Sequence, residues 1–216
     1  MIERDYILRM SSLLGQGLAR ILFFREMKEY EKALTETDNC ARTVLGLNID
    51  LIERMPVAGL VDLLGSDPAL LHSKLYVAGS LLKEKGEILE FQEIEDEGMS
   101  LYMKSLSLFM QGMPANEDLE EKGIRAVDFV LDKLKFYELP VELKKQLVVF
   151  FESIKRFDKS EDVIFEIVED DAGFVQYGIS FYERLLLKSD DELEKGCLPR
   201  NEVEDGLADL QKKLVP

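Results

Sequence analysis

The sequence predicts an all-α fold of antiparallel helical hairpins, and three observations carry that expectation. Apolar residues recur at three- and four-residue steps along most of the chain, which lines one face of successive helices. Strand signals are nearly absent: the one β-branched run, Val148-Val149 ahead of Phe150-Phe151, lies inside a segment of helical period. The third observation is an internal echo. Residues 23–33 read FFREMKEYEKA and residues 150–160 read FFESIKRFDKS. Phe23/Phe150, Phe24/Phe151, Lys28/Lys155 and Lys32/Lys159 are identical, while Met27, Tyr30, Glu31 and Ala33 are replaced in kind by Ile154, Phe157, Asp158 and Ser160. An echo of this sort is the mark of a repeat architecture.

Each element has its own signal. Residues 2–28 fit an amphipathic helix, with Tyr6, Met10, Leu14, Gly17, Ile21 and Phe24 on one broad face. Gly15 and Gly17 weaken it by about 1 kcal/mol each relative to alanine, or admit a second helix at close range. Glu29 to Gly46 is a second helix; a short one from Ile49 stops before Pro56, and another runs from Val57 to Leu64. Ser66-Asp67-Pro68 opens a long helix, with a capping side chain ahead of a proline in the first turn. It carries Leu70, Leu71, Leu75, Val77 and Leu82 and is expected to end near Gly86. Residues 87–98 are acidic but helix-compatible, and Met99 to Met110 is strongly helical. Gly112 and Pro114 break it. Glu117 to Tyr137 is amphipathic, with acids crowding its first turns, where the helix dipole favours them. Pro140 starts a helix through Phe151 to Arg156, Lys159 to Val168 is its antiparallel mate, and Phe174 to Leu187 follows. After Pro199 a last helix runs from Arg200 or Asn201 to Leu214.

Composition excludes some functions. A net charge of −16 repels phosphate backbones, and no basic stripe interrupts it, so nucleic acid is not an expected partner. Residues 1–28 hold five basic and three acidic side chains, a net +2, which leaves −18 on the remainder. That field favours cationic partners. Cys40 and Cys197 stand in no metal or redox spacing and read as free thiols of a reducing compartment. The N-terminus lacks a secretory pattern, and no unbroken apolar run reaches the ~18 residues of a spanning helix. The expected location is the cytoplasm.

The echoed stretch resembles the tetratricopeptide repeat, in which an aromatic sits at the turn of a helical hairpin and a small residue three positions later lets the second helix pack close. Tyr30/Ala33 and Phe157/Ser160 hold those roles. A third hairpin fits residues 73–108, with Gly86 at its turn and Gly98, Tyr102 and Ser105 in its second helix. Lys28 and Lys155 replace the turn glycine, and no tidy 34-residue period runs through the chain, so the resemblance is to degenerate repeats. The opening, Asp5-Tyr6-Ile7 with Arg9-Met10, is also similar to the start of a family of uncharacterised bacterial proteins of this length. The resemblance implies one helical domain over 1–216, with 1–28 its N-terminal helix and 66–216 hairpins stacked as a tetratricopeptide-like solenoid. It further implies a concave groove lined by first helices, exposing Tyr76 and Lys83 from one unit and Lys145 and Glu152 from another.

No catalytic constellation competes with that reading. His72, the one histidine, has Ala69 three residues before it, which removes a Glu-x-x-His pair, and no HExxH exists. Gly15, Gly17 and Arg20 make an incomplete GxGxxG with no strand before it. No Walker A or G-x-S-x-G occurs. The acidic clusters Glu93, Glu95, Asp96, Glu97 and Glu166, Glu169, Asp170, Asp171 lack an ordered calcium loop and read as solvated faces. Met99, Met103, Met110 and Met113 read as core filler. The expectation is a cytoplasmic interaction module that binds a basic or amphipathic peptide or helix, with no catalysis, cofactor or metal. The alternatives are a small-molecule binder or enzyme with a pocket between helices, and a peripheral membrane protein anchored by the N-terminal helix. That helix also suggests a homodimer.

Overall fold

A computed structural model of the chain describes residues 2–112 and 117–214, with side chains for 5–112 and 121–213. Met113, Pro114, and the side chains of the first turn of the helix at 117 lie outside the described residues. Every regular element among those described is helical, and the hairpins are antiparallel. Where the sequence predicts one domain over 1–216, the helices cluster into two compact units, Met1–Glu138 and Leu139–Pro216. Each unit has its own apolar core.

The first unit contains α1 (Ile2–Glu26), α2 (Tyr30–Leu45), α3 (Ile49–Arg54), α4 (Val57–Leu64), α5 (Pro68–Phe91), α6 (Glu95–Gln111) and α7 (Glu117–Leu134). Local signals fix its ends. The Asn48 side chain accepts from Leu51 N–H at 2.7 Å and starts α3; Asp67 accepts from Ala69 N–H at 3.2 Å and starts α5 ahead of Pro68. Gly46, at φ 72°, ends α2 with its N–H bonded to the Arg42 carbonyl. In α1 the two glycines separate by role. A Cβ on Gly17 would lie 2.3 Å from Cys40 Sγ, so glycine is what lets α1 lie on α2; a Cβ on Gly15 would meet nothing within 4 Å. The outward face of α1 exposes Leu8, Leu22 and Phe23. The segment Asp5–Glu26 reaches a mean hydropathy of 1.2 and is long enough to cross a bilayer, yet its inner face packs Met10, Leu14 and Ile21 into the core of this unit.

The second unit contains α8 (Val141–Ser153), α9 (Phe157–Asp170), a 3₁₀ turn (Ala172–Phe174), α10 (Val175–Leu186), α11 (Asp190–Lys195) and α12 (Arg200–Leu214). The segment expected as one helix from Phe174 begins as that 3₁₀ turn, because the Asp171 side chain accepts from Gly173 N–H at 2.9 Å and holds a tight bend. The sequence reading misses α11. Its Ser189-Asp190-Asp191-Glu192 start forms a capping box, with the Ser189 and Glu192 side chains each bonded to the other's backbone N–H.

The tetratricopeptide-like roles are filled as expected. Ala33 and Ser160 are fully buried, and Ser160 Oγ donates to the Val148 carbonyl across the hairpin at 2.9 Å. Ser105 does the same to the Gly79 carbonyl at 2.8 Å. Gly86 is not the turn of the third hairpin. α5 runs through it to Phe91, and a Cβ at Gly86 would lie 3.1 Å from the Tyr102 ring and 3.2 Å from the Gly98 carbonyl. Glycine there marks where α5 and α6 cross. The turn itself lies at Glu93, and it matches the others: Lys28, Glu93, Lys155 and Cys197 have φ of 58, 61, 58 and 58°. In each the next residue's N–H bonds back five residues, as Glu29 does to Phe24 and Arg156 to Phe151, both at 2.9 Å. Side-chain-bearing residues pay for this left-handed conformation. Lys28→Gly and Lys155→Gly should therefore each raise stability by about 0.5–1 kcal/mol. A higher urea midpoint at unchanged slope is the expected readout; a lower one would mean the lysine side chain itself holds the turn.

Candidate peptide-binding groove

Within the first unit, α1 and α7 wall a groove whose floor is α5. It consists of two hollows. One, of about 180 Å³, is bounded by Met10, Leu14 and Leu18 of α1, by His72, Tyr76 and Val77 of α5, and by Lys122 of α7. The other, of about 300 Å³, takes in Ser80 and Lys83 of α5, Phe109 of α6, and Arg125, Ala126 and Phe129 of α7. Leu18, Tyr76 and Lys122 border both, so the two form one groove. From His72 to Glu84 it follows α5 for about 18 Å at the helical rise per residue. Helical spacing builds each wall. Leu14 and Leu18 stand one turn apart on α1, and Lys122, Arg125, Ala126 and Phe129 occupy one face of α7 at steps of three and four.

The far end of the groove rests on a buried charge cluster. Arg25 Nη1, reaching from α1, donates to Glu84 Oε2 at 3.0 Å and to Glu87 Oε2 at 2.8 Å. Lys83 pairs with Glu84 at 2.6 Å and with Glu87 at 3.2 Å, and its ammonium lies 4.7 Å from the centre of the Phe129 ring. The Glu84 side chain is only 4% exposed and that of Arg25 14%. Burial, reinforced by the neighbouring Glu87 charge, pushes the Glu84 carboxyl above its usual value, against the pull of Lys83 and Arg25. Burial opposes the Lys83 charge too, but Glu84 and Glu87 outweigh it and hold its pKa above the usual lysine value. Next along α5, Glu90 accepts from Tyr102 Oη at 2.8 Å and from Lys133 Nζ at 2.8 Å.

The four residues expected to line a groove divide between the units. Tyr76 and Lys83 meet in the groove above: the Tyr76 ring lies 5.4 Å from that of Phe109, and burial raises its hydroxyl pKa. Lys145 and Glu152 belong to the second unit and are engaged there. Lys145 pairs with Glu142 at 2.9 Å, and Glu152 takes a two-point contact from Arg184, at 2.9 and 2.7 Å. His72 is exposed at the mouth of the smaller hollow. Cys40 is buried and Cys197 exposed, both as thiols, and burial beside Glu36 raises Cys40 to about 11, an inert value. The acidic side chains at 93–97 and at 166–170 are exposed, and among the described residues no three His, Cys, Asp or Glu side chains gather as a metal site. Sequence reasoning missed Arg25 and the α7 wall. The wall left a signal in the Lys122, Arg125, Ala126, Phe129 face; Arg25 left none locally, because its partners lie 59 and 62 residues away.

A family model described as a family of unknown function, DUF6483, matches residues 1–215. The chain belongs to the DUF6483 family. Curated proteins give no match to this DUF6483 chain. Among solved structures, the crystal structure of a de novo designed helical repeat protein, DHR64, is 18% identical over 98% of both chains with a TM-score of 0.30. The DHF119 filament is 16% identical over 99% of the DUF6483 chain and 100% of its own, with a TM-score of 0.29. At such scores neither adds to the fold described above.

Proposed function

We propose that this DUF6483 chain is an interaction module without catalysis of its own, which binds an amphipathic helix or peptide in the α1–α5–α7 groove. The form of the groove carries the reading: two joined hollows with an apolar lining of Leu14, Leu18, Tyr76 and Phe109 that run along α5. A helix laid in a groove anchors through apolar side chains one and two turns apart, and this shape suits it. The alternative is a small-molecule site, a cleft or cavity of about 300–1,000 Å³ that buries most of its ligand; the larger hollow reaches the lower end of that range but is more open than enclosed, which suits a helix better. Free thiols at Cys40 and Cys197 favour the cytoplasm as the place of action.

The test is to pan a displayed library of amphipathic helical peptides against the intact protein and against Ala126→Trp, which fills the larger hollow from its α7 wall. Peptides enriched on the wild-type chain should lose at least about tenfold in affinity for the variant, about 1.4 kcal/mol. Circular dichroism checks that the variant stays folded. Enriched peptides that bind both proteins equally would place recognition elsewhere.

A further inference from the structure

We infer that the groove selects an amphipathic helix with acidic side chains along one edge, a partner opposite in sign to the one the net charge of −16 favours. This rests on the groove reading above and names its ligand. Lys122 and Arg125 stand exposed on the α7 rim, over the apolar floor. Among the described lining residues the one carboxylate is Glu84, which is 4% exposed and already neutralised by Arg25 and Lys83. It presents no free charge to a ligand. Arg125 pairs with Glu121 at 3.0 Å, but both side chains are about two-thirds exposed, and such a pair is weak enough to exchange for a ligand carboxylate.

Distance decides between the local and the overall field. At physiological ionic strength charges are screened beyond about 8 Å. A helix lying against Tyr76 and Ala126 therefore reads the charges described on the α7 rim, Lys122 and Arg125 against the one carboxylate of Glu121, before it reads the acids on other faces. The opposite rim differs. On α1 it is formed by Ser11 and Gly15, small and uncharged, and it favours close approach of the ligand backbone. The acids of the partner thus belong on the edge that faces α7. The two hollows are centred six to seven residues apart on α5, about 10 Å, which is the separation of side chains at i and i+7 on a helix. The partner is a helix with large apolar anchors two turns apart and a row of Asp or Glu on one flank.

Three stapled helical peptides with the same leucine anchors, carrying Glu, Gln or Lys along one edge, test this by fluorescence anisotropy. The intact protein should bind the Glu peptide about tenfold tighter than the Lys peptide at low salt, with the gap closing as salt rises. Lys122→Glu/Arg125→Glu, a change on exposed positions, should reverse the order. Equal affinity for all three peptides, abolished by Ala126→Trp, would overturn the acidic partner while leaving the groove. No binding of any peptide to the wild-type chain would remove the groove and this inference with it.

Discussion

Arg25→Met should cost the first unit about 3–5 kcal/mol at neutral pH, the scale for removing one partner of a buried ion cluster. Methionine keeps most of the apolar stem of Arg25 and removes its charge. Glu84 and Glu87 are then left with Lys83 alone, two buried carboxylates against one ammonium. The pH dependence identifies the cause. Glu84 already has a pKa above its usual 4.5, through burial first and the Glu87 charge as well. A carboxyl raised in the folded state favours folding below its unfolded value, and that contribution is lost as pH rises through the raised folded one. Without Arg25 the folded value climbs further, so the deficit should be largest at pH 7 and shrink as pH falls toward 4.5. Arg25→Met/Glu84→Gln should recover part of the loss, since one buried charge is removed together with its partner. Hydrogen exchange of α1 and α5 peptides, followed at both pH values, reads the effect within this unit. An equal cost at pH 7 and near pH 4.5 would assign it to lost packing of the Arg25 side chain, whose guanidinium carbon lies 5.6 Å from the centre of the Phe91 ring.

This cluster marks the limit of what local sequence carries. Most helix positions were legible from signals within one turn: Asp67-Pro68 opening α5, Gly46 closing α2, the small residues Ala33 and Ser160 inside their hairpins; α11 was not, although Ser189 and Glu192 carry such a signal. Gly86 misled for a physical reason. Glycine serves both a turn that needs positive φ and a crossing that needs an absent Cβ, and local sequence does not distinguish them. The four turns place Lys, Glu, Lys and Cys where the pattern calls for glycine. Tyr76 and Lys83, which the repeat pattern places on one face of a first helix, border one hollow. The α7 wall across from them, and Arg25 beneath them, depend on which helices meet, and residues far apart in sequence decide that. The division near Glu138 was equally hidden, since Glu138-Leu139-Pro140 reads like any other helix break.

Gly196→Ala should destabilise the second unit by about 3 kcal/mol, from overpacking together with a weakened backbone bond. Its backbone has φ of −86°, which any residue adopts, so conformational strain is not the cause. Space is. A Cβ at this position would lie 2.2 Å from Cδ2 of Phe157, a ring 1% exposed and packed in the core with Leu193 and Leu198. The ring cannot swing aside cheaply from such a site. Moving the backbone instead is also costly, because the Gly196 carbonyl accepts from the N–H groups of Phe157 and Asp158, at 3.0 and 3.3 Å. Those are two of the orphan donors at the start of α9, and Arg156 offers them no side-chain cap. In both copies the residue ahead of the helix takes the N–H of the small residue four places on, Glu29 from Ala33 at 3.0 Å and Arg156 from Ser160 at 3.1 Å. The second copy adds to that local bond a cap from the α11 end on its first two N–H groups, and Gly196 is what allows the approach. Phe157→Leu in the Gly196→Ala background should relieve the clash and recover part of the loss. Gly15→Ala, which meets open space, serves as the control and should not lower stability. Urea unfolding of the three variants decides the point; a Gly196→Ala cost below about 1 kcal/mol, within the ordinary range for a point mutation, would mean that the ring and the α11 end shift together to make room.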